Sequence, residues 1–430
     1  MTEEKHGGLL AGLDEVDWAG LEHAYGSAAD VPGRLRDLCG DDETARGKAL
    51  SGLFTSIFHQ GSRYEASPHA VPFLARIAVA GPRPVRVDVL WLLTRLAVDW
   101  HDEYDLPRGI DTAAWRAAAA GHAPENLLPW YDGQLAVEQD GERRRRLEEM
   151  REYCAAGKPV DARDGALRSY DAVRAELPGL HRLLDDPDPQ VRTRIAYLLA
   201  WFPEEASRSL PRLLARLAAE DDPGVTATAL VAAGLVGDVT LVPRLRPYLE
   251  AEDRLLRWAA ATALARLAGG PDGADVLGAG LCDLVIGELA AAAADVVPRP
   301  LTDFDEGNPH SYVARSLLPL VPHAPDTVLG AVVEAFGGMP DRKIADLAED
   351  VVRAAFHDAA AGPLPPFPGL GGGQRRVLRF LARTGPWGDY GRRFERTLRE
   401  LGLPDTQAAL CAYAGVTAGT PVRSGDDPWV

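Results

Sequence analysis

Two short stretches hold most of the side chains in this chain that could do chemistry. The first is Asp99-Trp100-His101-Asp102-Glu103-Tyr104-Asp105, an imidazole set among carboxylates. Such a run offers metal ligands, and His59 or His69 one repeat away could add to them. A metal site would need these groups on fixed elements, with further hydrogen bonds orienting each imidazole. The same run also reads as an acidic, solvent-facing loop. The second is the Gly61 to His69 loop, around which His59, Gln60, Arg63, Tyr64 and Glu65 place hydrogen-bonding groups and one aromatic ring between two helices. Tyr and Arg often carry interface energy, so this segment is a candidate recognition loop. The plainer alternative packs Tyr64 under the N-terminal helix and pairs Arg63 with Glu65 on the surface. The candidate binding residues are therefore His59, Arg63, Tyr64, Glu65, His101, Asp102, Glu103 and Tyr104. No catalytic or metal-binding residue is assigned, and no cofactor is expected.

Other chemistry is missing from the sequence. Phosphate-loop, dinucleotide and serine-elbow patterns are absent. Gly371-Gly372-Gly373 precedes a helix, but with no strand before it and no Lys-Ser or Lys-Thr after it, the run reads as a linker. Cys39, Cys154, Cys282 and Cys411 are too far apart for zinc or redox pairing and suggest buried thiols in a reducing compartment. The net charge of -17, from 63 acidic and 46 basic residues, repels phosphate backbones and anionic membranes. It favours a basic protein partner, besides keeping a long surface soluble. The run Arg143-Arg144-Arg145-Arg146 does not reverse this, because Arg144 with Glu148 and Arg145 with Glu149 are one turn apart and predict a self-paired, solvated face. Met1 to Leu10 lacks a signal-peptide core, and no apolar run approaches the roughly 20 residues of a membrane helix. The expected location is cytoplasmic.

What must position the candidate residues is set by a repeat. The phrase apolar-Pro-x-apolar recurs as Val71-Pro72-Phe73-Leu74, Leu177-Pro178-Gly179-Leu180, Leu210-Pro211-Arg212-Leu213 and Val242-Pro243-Arg244-Leu245. Each is followed by an apolar anchor, Val85, Val191, Val225 or Leu256. From each anchor further apolar residues fall at +4, +7, +8 and +11: Val89, Leu92, Leu93 and Leu96; Ile195, Leu198, Leu199 and Phe202; Ala229, Ala232, Ala233 and Val236; Ala260, Ala263, Leu264 and Leu267. That spacing is one buried stripe on an α-helix. Between the helices, Asp186-Pro187-Asp188-Pro189 and Asp221-Asp222-Pro223-Gly224 carry helix-start chemistry: Asp caps free N–H groups and Pro suits the first turn. Each unit is a helix containing a proline, a turn, and a second helix. One such hairpin cannot bury its own apolar face, so neighbours must stack.

The stretch Leu183-Leu184-Asp185-Asp186-Pro187-Asp188-Pro189-Gln190-Val191-Arg192 resembles the signature of HEAT repeats, in particular the bacterial HEAT-like repeats named after phycobilisome lyases. Phe58 to His69 resembles the N-terminal portion of bacterial HEAT-repeat proteins of largely unassigned role. The resemblance implies an all-α fold, a HEAT-type α-solenoid of stacked helical hairpins with an irregular helical insertion, and it carries no activity with it. Two catalytic relatives of the repeat can be weighed. Deoxyhypusine hydroxylase relies on repeated His-Glu dipeptides, and none of the ten histidines here precedes Glu. HEAT-like DNA glycosylases need a basic concave face, which the acidic balance opposes.

The expected organisation is N-terminal repeats over 1–99, the insertion over 100–165, central HEAT repeats over 166–295, degenerate C-terminal repeats and a cap over 296–416, and a tail over 417–430. Helices are predicted at 43–60, at 111–120 and 141–153 in the insertion, at 276–294, and at about 312–320, 326–336 and 341–357. Two more, near 374–384 and 389–402, are expected to close the stack. Trp91, Trp201, Trp258 and Tyr170 read as structural. Such a chain is expected to be a non-catalytic protein–protein interaction scaffold presenting an acidic curved surface. The alternative is a lyase-like or chaperone-like helper enzyme, in cofactor attachment or small-molecule biosynthesis, with a pocket near the insertion.

Overall fold

The computed structural model describes residues 8–99, 109–157, 162–269, 276–294, 303–304, 309–357, 364–388 and 391–422. They form twenty α-helices and two two-stranded antiparallel hairpins. The fold is an all-α solenoid of helical hairpins, in which helix starts are fixed largely by aspartate. Asp42, Asp111, Asp140, Asp188, Asp222 and Asp253 each accept from a backbone N–H in the first turn of the helix that follows. The chain divides into two compact units, Met1–Glu103 with Ile110–Arg212, and Tyr104–Gly109 with Leu213–Val430.

The first unit opens with β1 (Glu22–His23) and β2 (Gly26–Ser27), then α1 (Val31–Cys39) and α2 (Glu43–Ser56). Next come β3 (Phe58–His59), β4 (Ser62–Arg63), α3 (Ala66–Ala80) and α4 (Arg83–Ala97). The helix expected to run to residue 60 stops at Ser56, because Phe58 and His59 pair as a strand. The insertion supplies α5 (Thr112–Gly121), α6 (Pro124–Val137) and α7 (Gly141–Ala155). Then α8 (Ala162–Leu180) and α9 (Pro189–Leu199) resume the repeat, followed by α10 (Ala206–Ala219). α3 and α4 pack directly against α8, and α4 against α9. The stack therefore continues straight across the insertion, which explains why the repeat register lapses in sequence without being lost in space. Arg116 of α5 fastens the insertion to the stack, reaching Asp171 of α8 at 2.6 Å and Glu204 at 3.0 Å. Those carboxylates hold its guanidinium above the ordinary range.

The second unit contains α11 (Pro223–Val236), the one-turn α12 (Val242–Leu245), α13 (Arg254–Ala268), α14 (Ala279–Ala294), α15 (Pro309–Leu317), α16 (Pro325–Phe336) and α17 (Asp341–Ala355). α18 (Gly372–Thr384), α19 (Arg392–Glu400) and α20 (Gln407–Ala414) follow. Pro72, Pro178 and Pro211 lie inside α3, α8 and α10 as the repeat requires. In the fourth repeat the proline-bearing helix is reduced to α12 between two 3₁₀ turns, Val239–Leu241 and Arg246–Glu250. Pro243 and Pro247 each withdraw a backbone donor there.

The stripe positions Leu198, Leu199, Ala232, Ala233, Ala263 and Leu264 are all buried, and so are Ile344, Ala348, Val351, Val352 and Ala355 of α17. Leu256 is only half-buried. Trp201, Trp258 and Tyr170 are buried, while Trp91 is half-buried with Arg95 and Arg194 over its faces.

Three expectations need correcting. The glycines at 371–373 are no linker: α18 begins at Gly372, and Gly373 donates to Asp326 Oδ1 at 2.7 Å. A Cβ on Gly373 would lie 2.8 Å from that of Leu329, so its bareness permits close packing on α16. Next, α20 packs against α18 as a third closing helix. Finally, the 19-residue segment Val276–Ala294 is apolar and long enough to span a membrane by length and composition, although 44% of its most apolar stretch is buried in the fold. α14 within it packs against α13, α15 and α16.

Candidate functional site

The sequence-selected residues that the structure describes gather where two β-hairpins meet, at the start of the first unit. The second hairpin pairs Phe58 with Arg63 and His59 with Ser62. Its two turn residues, Gln60 at φ 49° and Gly61 at φ 83°, give the primed turn that suits the twist of a tight hairpin. The first hairpin pairs Glu22 with Ser27 and His23 with Gly26, and Gly26 takes φ 105°. Ala24 N–H donates to Ser56 O at 3.0 Å, tying this turn to the end of α2, directly before the second hairpin.

A polar chain fixes the first hairpin from behind. The Tyr25 backbone N–H donates to His23 Nδ1 at 3.1 Å, so in that arrangement Nε2 carries the imidazole proton and meets Asp30 Oδ1 at 2.9 Å. Asp30 pairs with Arg34 at 2.6 Å, and Arg34 donates to Ser56 Oγ at 2.8 Å and to Gly52 O. Underneath, the buried Trp18 donates to Leu13 O at 2.9 Å and its ring meets Phe73 of α3. What this scaffold holds out is Tyr25, 67% exposed. Its ring lies 5.4 Å from that of His59 at 63°, and its hydroxyl is 3.5 Å from His59 Nδ1.

The chosen residues separate by role. His59 is half-exposed and forms the seam between the hairpins. Arg63 turns inward: it is 5% exposed, donates to Gly61 O at 2.6 Å and pairs with Asp99 at 3.1 Å. Arg63 is thus a buried residue rather than a surface one, and it pairs with the first residue of the acidic run. Tyr64 is half-buried, and burial pushes its hydroxyl up, partly offset by a hydrogen bond with Ser62. Ser67 accepts from Tyr64 N–H at 2.7 Å and donates to Ile57 O at 2.6 Å, locking the hairpin exit to its entrance. Glu65 is half-buried at the start of α3. His101, Asp102, Glu103 and Tyr104 lie outside the described residues. Among the described residues no three His, Cys, Asp or Glu side chains gather as a metal would need.

His23, Tyr25 and Asp30 were not selected from sequence. One signal was available: His23-Ala24-Tyr25-Gly26-Ser27 and His59-Gln60-Gly61-Ser62 both run from His to Gly-Ser, and both fold as hairpins.

Comparison with known proteins bears on the repeats. Residues 210–296 match the family model of HEAT repeats. That segment carries HEAT repeats. No curated protein matches it. Among solved structures, the crystal structure of an engineered protein is similar at 18% identity, covering 90% of this chain and 97% of that one, with a TM-score of 0.29. The HEAT match covers α11 to α14 and leaves both hairpins outside it.

Proposed function

We propose that this HEAT-repeat protein is a non-catalytic scaffold that presents an acidic surface to a basic protein partner, with the paired hairpins as its docking edge. The observation that carries this reading is Tyr25, a large ring held almost bare by a fully bonded turn. An anchor that is already ordered loses little entropy when a partner covers it. Local charge selects the partner's sign. Between Leu9 and Glu65 ten acidic residues stand against five basic ones, and Arg34, Arg36, Arg46 and Arg63 are each bound to an oxygen of this chain. A cationic side chain over the Tyr25 or Tyr64 ring would gain further attraction. The four buried free thiols fit a reducing cytoplasm.

The test is co-purification from the native cell using the full chain, comparing wild type with Tyr25→Ala and Tyr64→Ala. A stoichiometric basic protein should be retained by wild type, lost more readily at raised salt, and weakened by more than about 1 kcal/mol in either variant. A partner indifferent to both changes and to ionic strength places the docking surface elsewhere.

A further inference from the structure

The insertion carries a helical hairpin with almost no core of its own. Along α6 and α7 only Tyr131 and Cys154 are buried. Trp130 at 53% and Val137 at 72% exposure, with Met150, are among the large apolar side chains left most open. Helical geometry puts these three on one side. The two helices pack against each other, so their two buried residues, Tyr131 and Cys154, mark the facing sides of the antiparallel pair. At 3.6 residues per turn, Trp130 and Val137 lie about 100° to 120° round α6 from that contact. Met150 turns to the same side of α7. The result is an apolar strip on a two-helix arm, which cannot bury such a strip alone.

Charge indicates what covers it. α7 begins Glu142-Arg143-Arg144-Arg145-Arg146 and ends with Glu148, Glu149, Arg151 and Glu152. Cations near a helix N-terminus and anions near its C-terminus are the reverse of what the helix dipole favours, so helix stability does not account for the layout. A partner of single charge would be attracted at one end and repelled at the other. A second α7 running antiparallel, about a two-fold axis perpendicular to the helices, sets each basic end against an acidic one. Four ion pairs are already internal: Arg143 with Glu138, Arg144 with Glu148, Arg146 with Glu142, and Arg151 with Asp132. The expected pair of Arg145 with Glu149 is absent; both are exposed, and no ion pair involves either. With the axis beside Leu147, Arg145 of one copy faces Glu149 of the other.

We infer that α6 and α7 are a self-association arm whose occupant is the same arm of a second copy of this chain, forming a four-helix bundle. The inference is independent of the hairpin edge. Sedimentation of the full chain over a concentration series tests it, with circular dichroism as the check on folding. Wild type should dimerise reversibly. Trp130→Glu and Val137→Lys should each weaken the dimer about tenfold or more while helicity is kept. Arg145→Glu should weaken it too, and Arg145→Glu combined with Glu149→Arg should restore it, since the reversed charges meet again across the axis. A chain monomeric at every concentration assigns the strip to a different protein and overturns the inference. So does a dimer that none of these changes affects.

Discussion

The α11–α13 pair and the paired hairpins are held together by opposite means. From Gly224 to Val236 every residue of α11 is buried, and its neighbour α13 is buried from Trp258 to Ala265. The two helices pack so closely that a Cβ on Gly234 would stand 2.6 Å from the Ala263 Cα. Nothing there is on offer to a ligand. The hairpins instead use positive-φ turns, a relay from Tyr25 through His23, Asp30 and Arg34 to Ser56, and the buried Arg63–Asp99 pair. Small side chains make a rigid stack; polar bonds hold an aromatic ring out of it. The repeat register locates the frame of this protein, and departures from the register locate its candidate chemistry.

The largest expected loss of stability is at the polar end. Arg63→Ala removes the cation from a pair in which the Asp99 side chain is only 15% exposed. Breaking such a pair from one side costs about 3 to 5 kcal/mol. Denaturant melts of Arg63→Ala and Asp99→Ala should show comparable losses, and the double variant should lose less than their sum. A loss below about 1 kcal/mol in Arg63→Ala would mean that the hairpin is held by its backbone alone.

In the apolar region, Leu264→Ala should cost about 2 to 5 kcal/mol, because a stripe with neighbours on both sides cannot collapse into the cavity. Gly234→Ala adds one methyl and should cost about 1 to 3 kcal/mol, since the contacted atom is backbone and cannot swing away. If Gly234→Ala proved neutral in a melt, the two helices would be looser than their spacing indicates.

Much of the frame was legible in sequence, for a physical reason. A buried helical stripe constrains five positions per helix, and four matching helices repeat the constraint. The hairpins escaped because two-residue strands have no period, and their turn residues carry the signal only through backbone angles at Gln60 and Gly61. Arg63 was chosen as a surface anchor because its partner, Asp99, is distant in sequence. α6 escaped because Pro129 and Gly133 argue against a helix locally. Its pairing with α7, and with Asp132 held by Arg151 at 2.6 Å, overrides that preference.

Alkaline pH separates burial at the hairpin end from polar bonding there. Cys39, at the end of α1, is buried, and burial pushes its thiol from 9.0 up to about 11. The folded state thus holds this proton more tightly than the unfolded state does. The contribution is complete below pH 9 and is lost as pH climbs toward 11. Urea melts at several pH values should show the advantage of wild type over Cys39→Ala shrinking across that window. A difference that stays constant would mean that the thiol is not buried on folding.

The smallest effect on stability belongs to the residue with the largest proposed role. Tyr25→Ala removes a ring that is mostly in water, while the bonds fixing the turn come from backbone: Tyr25 N–H to His23 and Ala24 N–H to Ser56. Alanine keeps both donors. Surface substitutions away from packing and capping features usually stay within about 0.5 kcal/mol. The ring contact with His59 is worth little when one side is solvated, so a melt should not distinguish the variant from wild type. His23→Ala is the contrasting change: it deletes the acceptor for Tyr25 N–H and the partner of Asp30, and should cost about 1 to 3 kcal/mol. If Tyr25→Ala destabilised as much as His23→Ala, Tyr25 would be a packing residue and the hairpins would lose their claim as a docking edge. Stability unchanged by Tyr25→Ala and reduced by His23→Ala is the outcome expected of an anchor and its support.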